Sequence, residues 1–309
     1  MTPEPQPVEF RLSDPLTLRG DAWGPERGTP VVLQHGGGQT RHSWSGAGRS
    51  IGAAGFRAIA LDLRGHGESD WAPGGRYFPE DFVADLKGVV AALARPPVLV
   101  GASLGGMTGL LAAGESEEPL LAGLVLVDVA PRIEARGVAR IIDFMLARPE
   151  GFASLEDAAD AVAGYRLHRG RPKDLSGLRK NLRKAEDGRW RWHWDPAFIG
   201  HGRTQDVEQL RRLATGRDAP EGGVAEGRAG ARFNDPERLL AAAGRLRIPA
   251  MLVRDRESDV VSQRGVEEFL AAAAHAEFVD VSNAGHMLAG DRNDAFNEAV
   301  LGFLREAGF

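Results

Sequence analysis

The chain of 309 residues contains no cysteine, so it can form no disulfide bond and offers neither a thiol nucleophile nor a thiolate metal ligand. It lacks any apolar run of the roughly 20 residues that a membrane-spanning helix needs. Residues 1–11 hold three prolines and two glutamates but no apolar stretch, unlike a secretory signal. These absences argue against a disulfide scaffold and a membrane protein, and we expect a cytoplasmic location.

Neither sign of charge is in strong excess. Lys and Arg number 38 and Asp and Glu 43, which gives a formal net charge of −5 and a pI of about 5.9. This balance gives no reason to expect a nucleic-acid partner. Hydrophobic residues make up 43% of the chain and charged residues 26%, as in ordinary globular proteins. We expect no nucleic-acid or membrane partner, and the sequence leaves the oligomeric state open, with a homo-oligomer as one option.

Over the first 132 residues, apolar stretches of strand length alternate with stretches of helical period. The strand-like runs are 31–34, 56–61, 97–100 and 124–127, and the helical ones include 79–94 and 104–114. Continuous apolar strands separated by helices are typical of a parallel sheet buried on both faces. Residues 8–13 and 16–22 alternate more, which indicates an antiparallel hairpin at a sheet edge. The pattern resumes with strands at 248–253 and 277–281 and helices at 265–274 and 291–306.

Residues 133–245 interrupt this alternation. They are helical by propensity, notably at 137–147, 154–165 and 204–214, and show no convincing buried strand. We therefore predict one α/β core built from residues 1–132 and 246–309, with residues 133–245 inserted as a helical cap. Trp192 and Trp194 lie in this insertion and are candidate substrate-binding residues, although packing of the cap onto the core explains them equally well. The spacing of His193, Asp195 and His201 matches no recognised metal site, so we predict no metal.

The sharpest local motif is Gly-Ala-Ser-Leu-Gly at residues 101–105. It follows a predicted strand and precedes a predicted helix. Small residues two positions before and after Ser103 allow a tight bend that lifts the hydroxyl out of the chain, as a nucleophile requires. The helix N-terminus beneath it favours developing negative charge. We interpret Ser103 as a catalytic nucleophile.

A second motif, Gln-His-Gly-Gly-Gly at residues 34–38, follows another predicted strand. Glycines leave backbone amides bare, so the N–H groups of Gly37 and Leu104 can together form an oxyanion hole. A phosphate-binding loop is the alternative, but neither GxxxxGK[ST] nor GxGxxG is present. We interpret His35 as structural.

The third motif, Asn-Ala-Gly-His-Met at residues 283–287, follows the last predicted strand. Loops at the carboxyl ends of parallel strands converge on one crevice, which would bring His286 to the serine. Its role would be that of a general base and then a general acid.

Together with Asp-Leu-Arg-Gly-His-Gly-Glu-Ser at residues 62–69, these motifs make the chain resemble the α/β-hydrolase fold family. The resemblance covers nearly the whole chain. It implies an eight-stranded, mostly parallel sheet flanked by helices, a Ser-His-acid triad and no required cofactor. Asp62, Arg64 and His66 are interpreted as structural residues that tie their loop to its neighbours.

The acid of the triad is where the chain departs from the common family pattern. The family usually places it after the strand that ends near Val253, and alignment puts Ser258 there, with Asp259 one residue late. Some esterases that resemble this chain carry the acid after the preceding strand, in an Asp-Ile/Val-x-Pro motif that Asp128 matches. We favour Asp128 and keep Asp259 as the alternative.

These residues predict a serine hydrolase that cleaves a carboxylic ester, lactone or related acyl bond in a small-molecule substrate through an acyl-enzyme. A cofactor-free perhydrolase or haloperoxidase-like enzyme is an alternative, because the same triad supports both reactions. A slow-turnover receptor for small molecules on the same fold is another. The sequence does not identify the acyl substrate.

Overall fold

One eight-stranded sheet forms the centre of the computed structural model, which describes residues 4–13, 15–165, 175–200, 235–281 and 294–309. The strands are β1 Gln6–Arg11, β2 Thr17–Trp23, β3 Pro30–Gln34, β4 Arg57–Leu61, β5 Val98–Ala102, β6 Gly123–Val127, β7 Leu182–Lys184, β8 Trp190–Trp192, β9 Ala250–Asp255 and β10 Glu277–Val281. Eight of these strands form the large sheet, in the order β1-β2-β4-β3-β5-β6-β9-β10, and β7 and β8 form a separate two-stranded sheet. The β1–β2 and β2–β4 pairs are antiparallel and the others parallel, which confirms the predicted mostly parallel sheet with an edge hairpin.

Helices cover both faces of this sheet, and further helices pack outside its two cores. They are α1 Ser45–Ala53, α2 Pro79–Ala91, α3 Leu104–Gly114, α4 Ala135–Leu146, α5 Leu155–Tyr165, α6 Ser176–Arg179, α7 Ala197–Gly200, α8 Pro236–Gly244, α9 Gln263–Ala272 and α10 Asp294–Glu306. Among the described residues, no helix is both long and apolar enough to cross a bilayer. Local chemistry explains several helix starts: Asp235 and Ser262 cap α8 and α9, and α2 and α8 begin with proline.

The central strands are apolar on both sides because each side carries its own core. β3 and β6 bury every residue. One core packs alternate strand residues against α2, α3, α8 and α9, with Leu99 and Leu252 among them. The other packs the intervening residues against α1 and α10, with Val100 and Val253 among them. The sequence therefore reads as continuous apolar runs rather than as alternation.

In the predicted insertion, α4 and α5 coincide with the helices expected at 137–147 and 154–165. The stretch that holds Trp190 and Trp192 is not helical. It forms β8, which pairs antiparallel with β7. The last helix, α8, packs on α3 and α9 and contributes Leu239 to the core of the main body. The helix expected at 204–214 lies outside the described residues. The division into core and cap stays a prediction.

The loop at residues 62–69 is tied down by buried ion pairs, as expected for Asp62 and Arg64. The Asp62 carboxylate is fully buried, pairs with the Arg41 guanidinium and accepts the Arg41 backbone amide at 2.6 Å. Arg64 donates twice to Asp85, each time at 2.5 Å. A buried charge loses its hydration, and a close opposite charge with good hydrogen bonds is needed to offset that cost. The loop is therefore a fixed support for whatever it contacts.

Candidate active site

Ser103 occupies the bend between β5 and α3. Its backbone has φ +44° and ψ −109°, a strained conformation that side-chain-bearing residues rarely adopt. Glycine is required at positions 101 and 105 because neighbouring backbone atoms leave no room for a side chain. A Cβ on Gly101 would lie 2.5 Å from the backbone carbon of Gly105, and one on Gly105 would lie 2.6 Å from the Gln34 carbonyl oxygen. The close contacts explain the tight bend that the motif predicts. Ser103 lies at the carboxyl edge of the sheet and is half-buried.

A glycine turn passes beside this serine. The Gln39 amide donates to the Gly36 carbonyl at 3.1 Å, which closes a four-residue turn at residues 36–39. Gly38 has φ +79°, the positive value that a type II turn requires at its third residue. A Cβ placed on Gly36 would lie 3.3 Å from the Cβ of Ser103. The turn and the serine are therefore in direct contact.

Two backbone amides near Ser103 have no acceptor among the residues that the structure describes. Leu104 is the first residue of α3, so no carbonyl of the helix accepts its N–H. Gly37 is half-buried, and no described residue accepts its N–H. Two such donors beside a nucleophile can stabilise an oxygen that gains negative charge. That Gly37 and Leu104 form an oxyanion hole stays a prediction.

Two buried histidines hold the glycine turn. His35 Nε2 accepts the Leu63 amide at 3.0 Å, so Nδ1 carries the proton and donates to the Gly36 carbonyl at 2.8 Å. His66 Nε2 accepts the Gly38 amide at 3.1 Å, so its Nδ1 donates to the Arg64 carbonyl at 2.9 Å. Each pattern requires a neutral imidazole, and burial lowers the pKa of His35 to about 4. His35 therefore has a structural role, as the sequence indicates.

The depressed pKa of His35 makes folding stability depend on pH. In the unfolded chain an imidazole takes up a proton below about pH 6.5, whereas folded His35 resists protonation down to about pH 4. The free energy of unfolding should therefore be highest above pH 6.5 and should lose about 2 kcal/mol from this residue by pH 5. Urea titrations at pH 7 and pH 5 measure this loss.

The matched variants for that experiment are His35→Gln and His275→Gln, the second at an exposed histidine. His35→Gln should lower stability at pH 7 and flatten its decline between pH 7 and 5, while His275→Gln should leave the decline unchanged. An unaltered decline in His35→Gln would show that His35 is not the residue responsible.

Asp128 directly follows β6, which pairs with β5, the strand that leads into Ser103. It is 2% exposed and has φ +50°, so it shares with Ser103 a strained backbone at the same sheet edge. Its amide donates to the Val253 carbonyl at 2.8 Å, and the Ser103 amide donates to the Val127 carbonyl at 3.2 Å. These bonds connect β5, β6 and β9 where the strands end. Asp128 thus has a buried side chain and follows the strand beside the one that leads into Ser103.

Asp259 has different surroundings. Its side chain is 38% exposed, and its carboxylate forms an ion pair with Arg140 of α4 at 2.7 Å. The Ser258 hydroxyl accepts the amides of Val260 and Val261 at 3.2 and 3.0 Å, so this serine shapes the turn that carries Asp259. The turn directs the Asp259 side chain toward Arg140 at the surface.

A third carboxylate, that of Asp255, was missed by the sequence reasoning. It ends β9, is fully buried and accepts the Glu257 amide at 2.8 Å through Oδ1. No described residue bonds its Oδ2. An aspartate that directly ends an apolar strand was the available signal, because a buried carboxylate is rare without a role.

Apolar side chains of the insertion border the glycine turn. A Cβ on Gly37 would lie 3.3 Å from the Phe198 ring, and one on Gly38 would lie 2.8 Å from the Cε of Met145. Phe198 and Trp194 are buried in one cluster with Leu104, and Met145 packs against it. No sequence motif singled out Phe198 or Met145, since their importance comes only from this tertiary contact.

The two predicted substrate-binding tryptophans are placed differently. Trp194 is 7% exposed, packs with Leu104 and pairs by backbone with His66. Trp192 is half-buried and packs edge-on against Phe152 at 5.3 Å between ring centroids, within the insertion. Trp194 is thus a buried member of the cluster that contains Leu104, and Trp192 packs against the same cluster from outside. Substrate contact stays a prediction for both.

His286 lies outside the described residues, which stop at Val281 and resume at Asp294. In the part of the chain that is described, no three His, Asp or Glu side chains are grouped so that they could hold a metal ion. Asp195 instead accepts the Tyr77 hydroxyl at 2.5 Å and the Ala197 amide at 2.9 Å. This aspartate ties the insertion to the main body.

Several known proteins are similar to this chain in sequence or in fold. The esterase Rv0045c of Mycobacterium tuberculosis is 29% identical over 289 residues, which are 89% of this chain and 82% of that protein. Its crystal structure covers 98% of this chain with a TM-score of 0.69 and 93% of its own length. Protein phosphatase methylesterase 1 of Bos taurus is 31% identical over 160 residues, 50% of this chain and 41% of that protein.

A further structural relative, E-2-(acetamidomethylene)succinate hydrolase, has a TM-score of 0.75 at 21% identity and covers 98% of this chain and 100% of its own. At that identity the likeness concerns the fold alone. Comparison with protein families matches residues 29–292 to the alpha/beta hydrolase fold, which is most of the chain. The chain therefore belongs to the alpha/beta hydrolase fold family.

Proposed function

We propose that this protein hydrolyses a carboxylic ester or a related acyl bond through a covalent intermediate on Ser103. The observation that carries the proposal is the strained serine at a strand–helix bend, in contact with a glycine turn. Strain of this kind is retained where a function needs it. Two of the relatives are named as esterases, which supports ester cleavage over other reactions of the family.

The reaction proceeds in two halves. Ser103 Oγ attacks the acyl carbon while His286 takes its proton, and the amides of Gly37 and Leu104 hold the tetrahedral oxyanion. The intermediate collapses, the alcohol leaves with the proton from His286, and an acyl-enzyme remains. Water, deprotonated by His286, then attacks the acyl carbon. Collapse of the second intermediate releases the acid and returns the proton to Ser103.

Asp128 is the acid of this triad in our proposal. Its task is to fix the tautomer of His286 and to stabilise the imidazolium that forms in each half-reaction. Burial of its carboxylate beside the serine strand supports the assignment. The ion pair between Asp259 and Arg140 opposes the alternative, because that carboxylate already has a partner at the surface.

A panel of p-nitrophenyl esters from acetate to decanoate, together with small lactones, tests the function. We expect many turnovers per enzyme and a preference among chain lengths, since apolar side chains border the glycine turn. Peracid formation from acetate and peroxide, measured in parallel, distinguishes hydrolysis from perhydrolysis. A single stoichiometric release of p-nitrophenol with every ester would instead indicate a receptor.

The pH dependence of the reaction follows from the protonation of the proposed general base, His286. An imidazole must be neutral to accept the serine proton, and an ordinary imidazole titrates near pH 6.5. We expect kcat/KM to rise with pH through about 6–7 and then to level off. Initial rates at subsaturating ester from pH 5 to 9 measure the profile. A flat profile between pH 5 and 8 would remove His286 from the mechanism.

A further inference from the structure

The direction of an oxyanion-hole amide depends on the peptide group to which it belongs. In the turn at residues 36–39, the central peptide joins Gly37 to Gly38. A flip of the central peptide interconverts type II and type I turns, and glycines on both sides make the flip sterically easy. A glycine turn beside Ser103 therefore needs an external contact to keep one arrangement.

His66 supplies that contact. Its Nε2 accepts the Gly38 amide at 3.1 Å, which is the N–H of the central peptide itself. The imidazole is fully buried, and its Nδ1 donates to the Arg64 carbonyl at 2.9 Å. Since Nδ1 carries the proton, Nε2 stays an acceptor. A flipped peptide would aim a carbonyl at Nε2 instead and would lose this bond.

The ring of His66 is itself immobilised. Phe198 packs edge-on against it at 4.7 Å between centroids, and the His35 ring lies 5.1 Å away. The residue before it on the loop is anchored as well, because the Gly65 carbonyl accepts the Asp195 amide at 2.7 Å. Rigid side chains that hold a site from behind are what preorganisation requires.

The neighbouring peptide carries the amide of Gly37. Its carbonyl, that of Gly36, accepts both His35 Nδ1–H at 2.8 Å and the Gln39 amide at 3.1 Å. In a trans peptide the N–H points opposite to the C=O, so these bonds aim the Gly37 N–H away from His35. The Gln39 bond can close the turn in either arrangement of the central peptide, so it does not fix that peptide. The bond from the Gly38 amide to His66 is the contact that does.

We propose that His66 is a positioning residue of the oxyanion hole, because its neutral Nε2 anchors the Gly38 amide and thereby fixes the position of the Gly37–Gly38 segment that carries the Gly37 amide beside Ser103. The inference rests on the proposed function of Ser103. It goes beyond the structural role that the sequence indicates for His66, since it assigns this side chain an effect on the transition state.

His66→Gln and His66→Leu separate this role from simple packing. The glutamine carbonyl oxygen can reach the place of Nε2 and accept the Gly38 amide, whereas leucine fills the buried space without an acceptor. His66→Asn is a second variant that lacks the acceptor, because its amide reaches only the place of Nδ1. Melting temperatures identify which of the acceptor-free variants is folded at the assay temperature.

For a folded acceptor-free variant we expect kcat to fall about 10²-fold, as when one oxyanion donor is lost, with KM within about threefold of wild type. The affinity for a boronic acid, which forms a tetrahedral adduct with a catalytic serine, should fall by a similar factor. His66→Gln should recover kcat to within about tenfold of wild type.

An unchanged kcat in the acceptor-free variant, an equal loss in His66→Gln, or a loss confined to KM would overturn the role of His66. Ser103→Ala is assayed beside these variants. If Ser103→Ala loses activity but the acceptor-free variant does not, this inference alone fails. If Ser103→Ala keeps full activity, the proposed function and this inference fail together.

Discussion

Ser103→Ala should lower kcat for ester hydrolysis by roughly 10⁴–10⁶-fold, the loss seen when a catalytic nucleophile is removed. Alanine cannot form the acyl-enzyme, and only transition-state binding by the remaining groups would still accelerate attack by water. KM should change little, because the hydroxyl contributes little to substrate binding. Stopped-flow and steady-state assays with a p-nitrophenyl ester measure both constants.

The matched control is Ser116→Ala, at a half-buried serine just beyond the other end of α3. Its hydroxyl donates to the Ala112 carbonyl at 2.6 Å and has no part in the proposed chemistry. We expect kcat within about threefold of wild type for a local helix-end change of this kind. Equal losses in the two variants would mean that the effect of Ser103→Ala comes from the fold rather than from the nucleophile.

Asp128→Asn should lower kcat about 10⁴-fold, since the amide can no longer hold the correct tautomer of the catalytic histidine. The substitution keeps the shape of a side chain that is 2% exposed, so the protein should remain folded. The loss should appear in kcat rather than in KM. Circular dichroism checks the fold, and the same ester assay measures the kinetic constants.

Asp259→Asn is the decisive comparison because it tests the other candidate acid. It would break a surface ion pair with Arg140, and such pairs contribute about 0–1 kcal/mol. We expect activity within a few fold of wild type. Asp255→Asn completes the set, because this third carboxylate is also buried at the edge where β9 ends. A loss larger in Asp259→Asn or Asp255→Asn than in Asp128→Asn would reassign the acid.

The sheet could be predicted because its rules are local. Strands such as β3 and β5 are buried on both faces, so their sequences are continuously apolar and stand out from the helices between them. The bend at Ser103 was visible for a similar reason, since Gly101 and Gly105 approach other backbone atoms too closely to carry a side chain. Both features restrict which residue types can occupy these positions, so both can be recognised in the sequence.

The choice between Asp128 and Asp259 could not be made from residue order. It depends on burial and on the position of Arg140, a residue of α4 that is distant in sequence from Asp259. The same is true of Phe198, which reaches Gly37 only through the packing of the insertion. The strand pairing of Trp190 and Trp192 was missed because their segment is short and half-exposed, where propensity is a weak guide.

The contact between His66 and the glycine turn could not be predicted from the motif that contains His66. Its loop was recognised as structural from the charges around it, and the buried pair of Arg64 with Asp85 agrees with that interpretation. The bond from the Gly38 amide to Nε2 joins residues 28 positions apart and follows from no pattern in either segment. Only the folded chain brings the imidazole and the glycine turn together.

The most direct test of the proposed mechanism is to map where a fluorophosphonate reacts. The enzyme is treated with the probe, digested, and sequenced by mass spectrometry, with Ser103→Ala treated in parallel. We predict one adduct, on Ser103, formed at a rate that tracks the loss of esterase activity, and no adduct in the variant. An adduct on another residue, or full esterase activity in protein whose Ser103 is completely labelled, would contradict the mechanism.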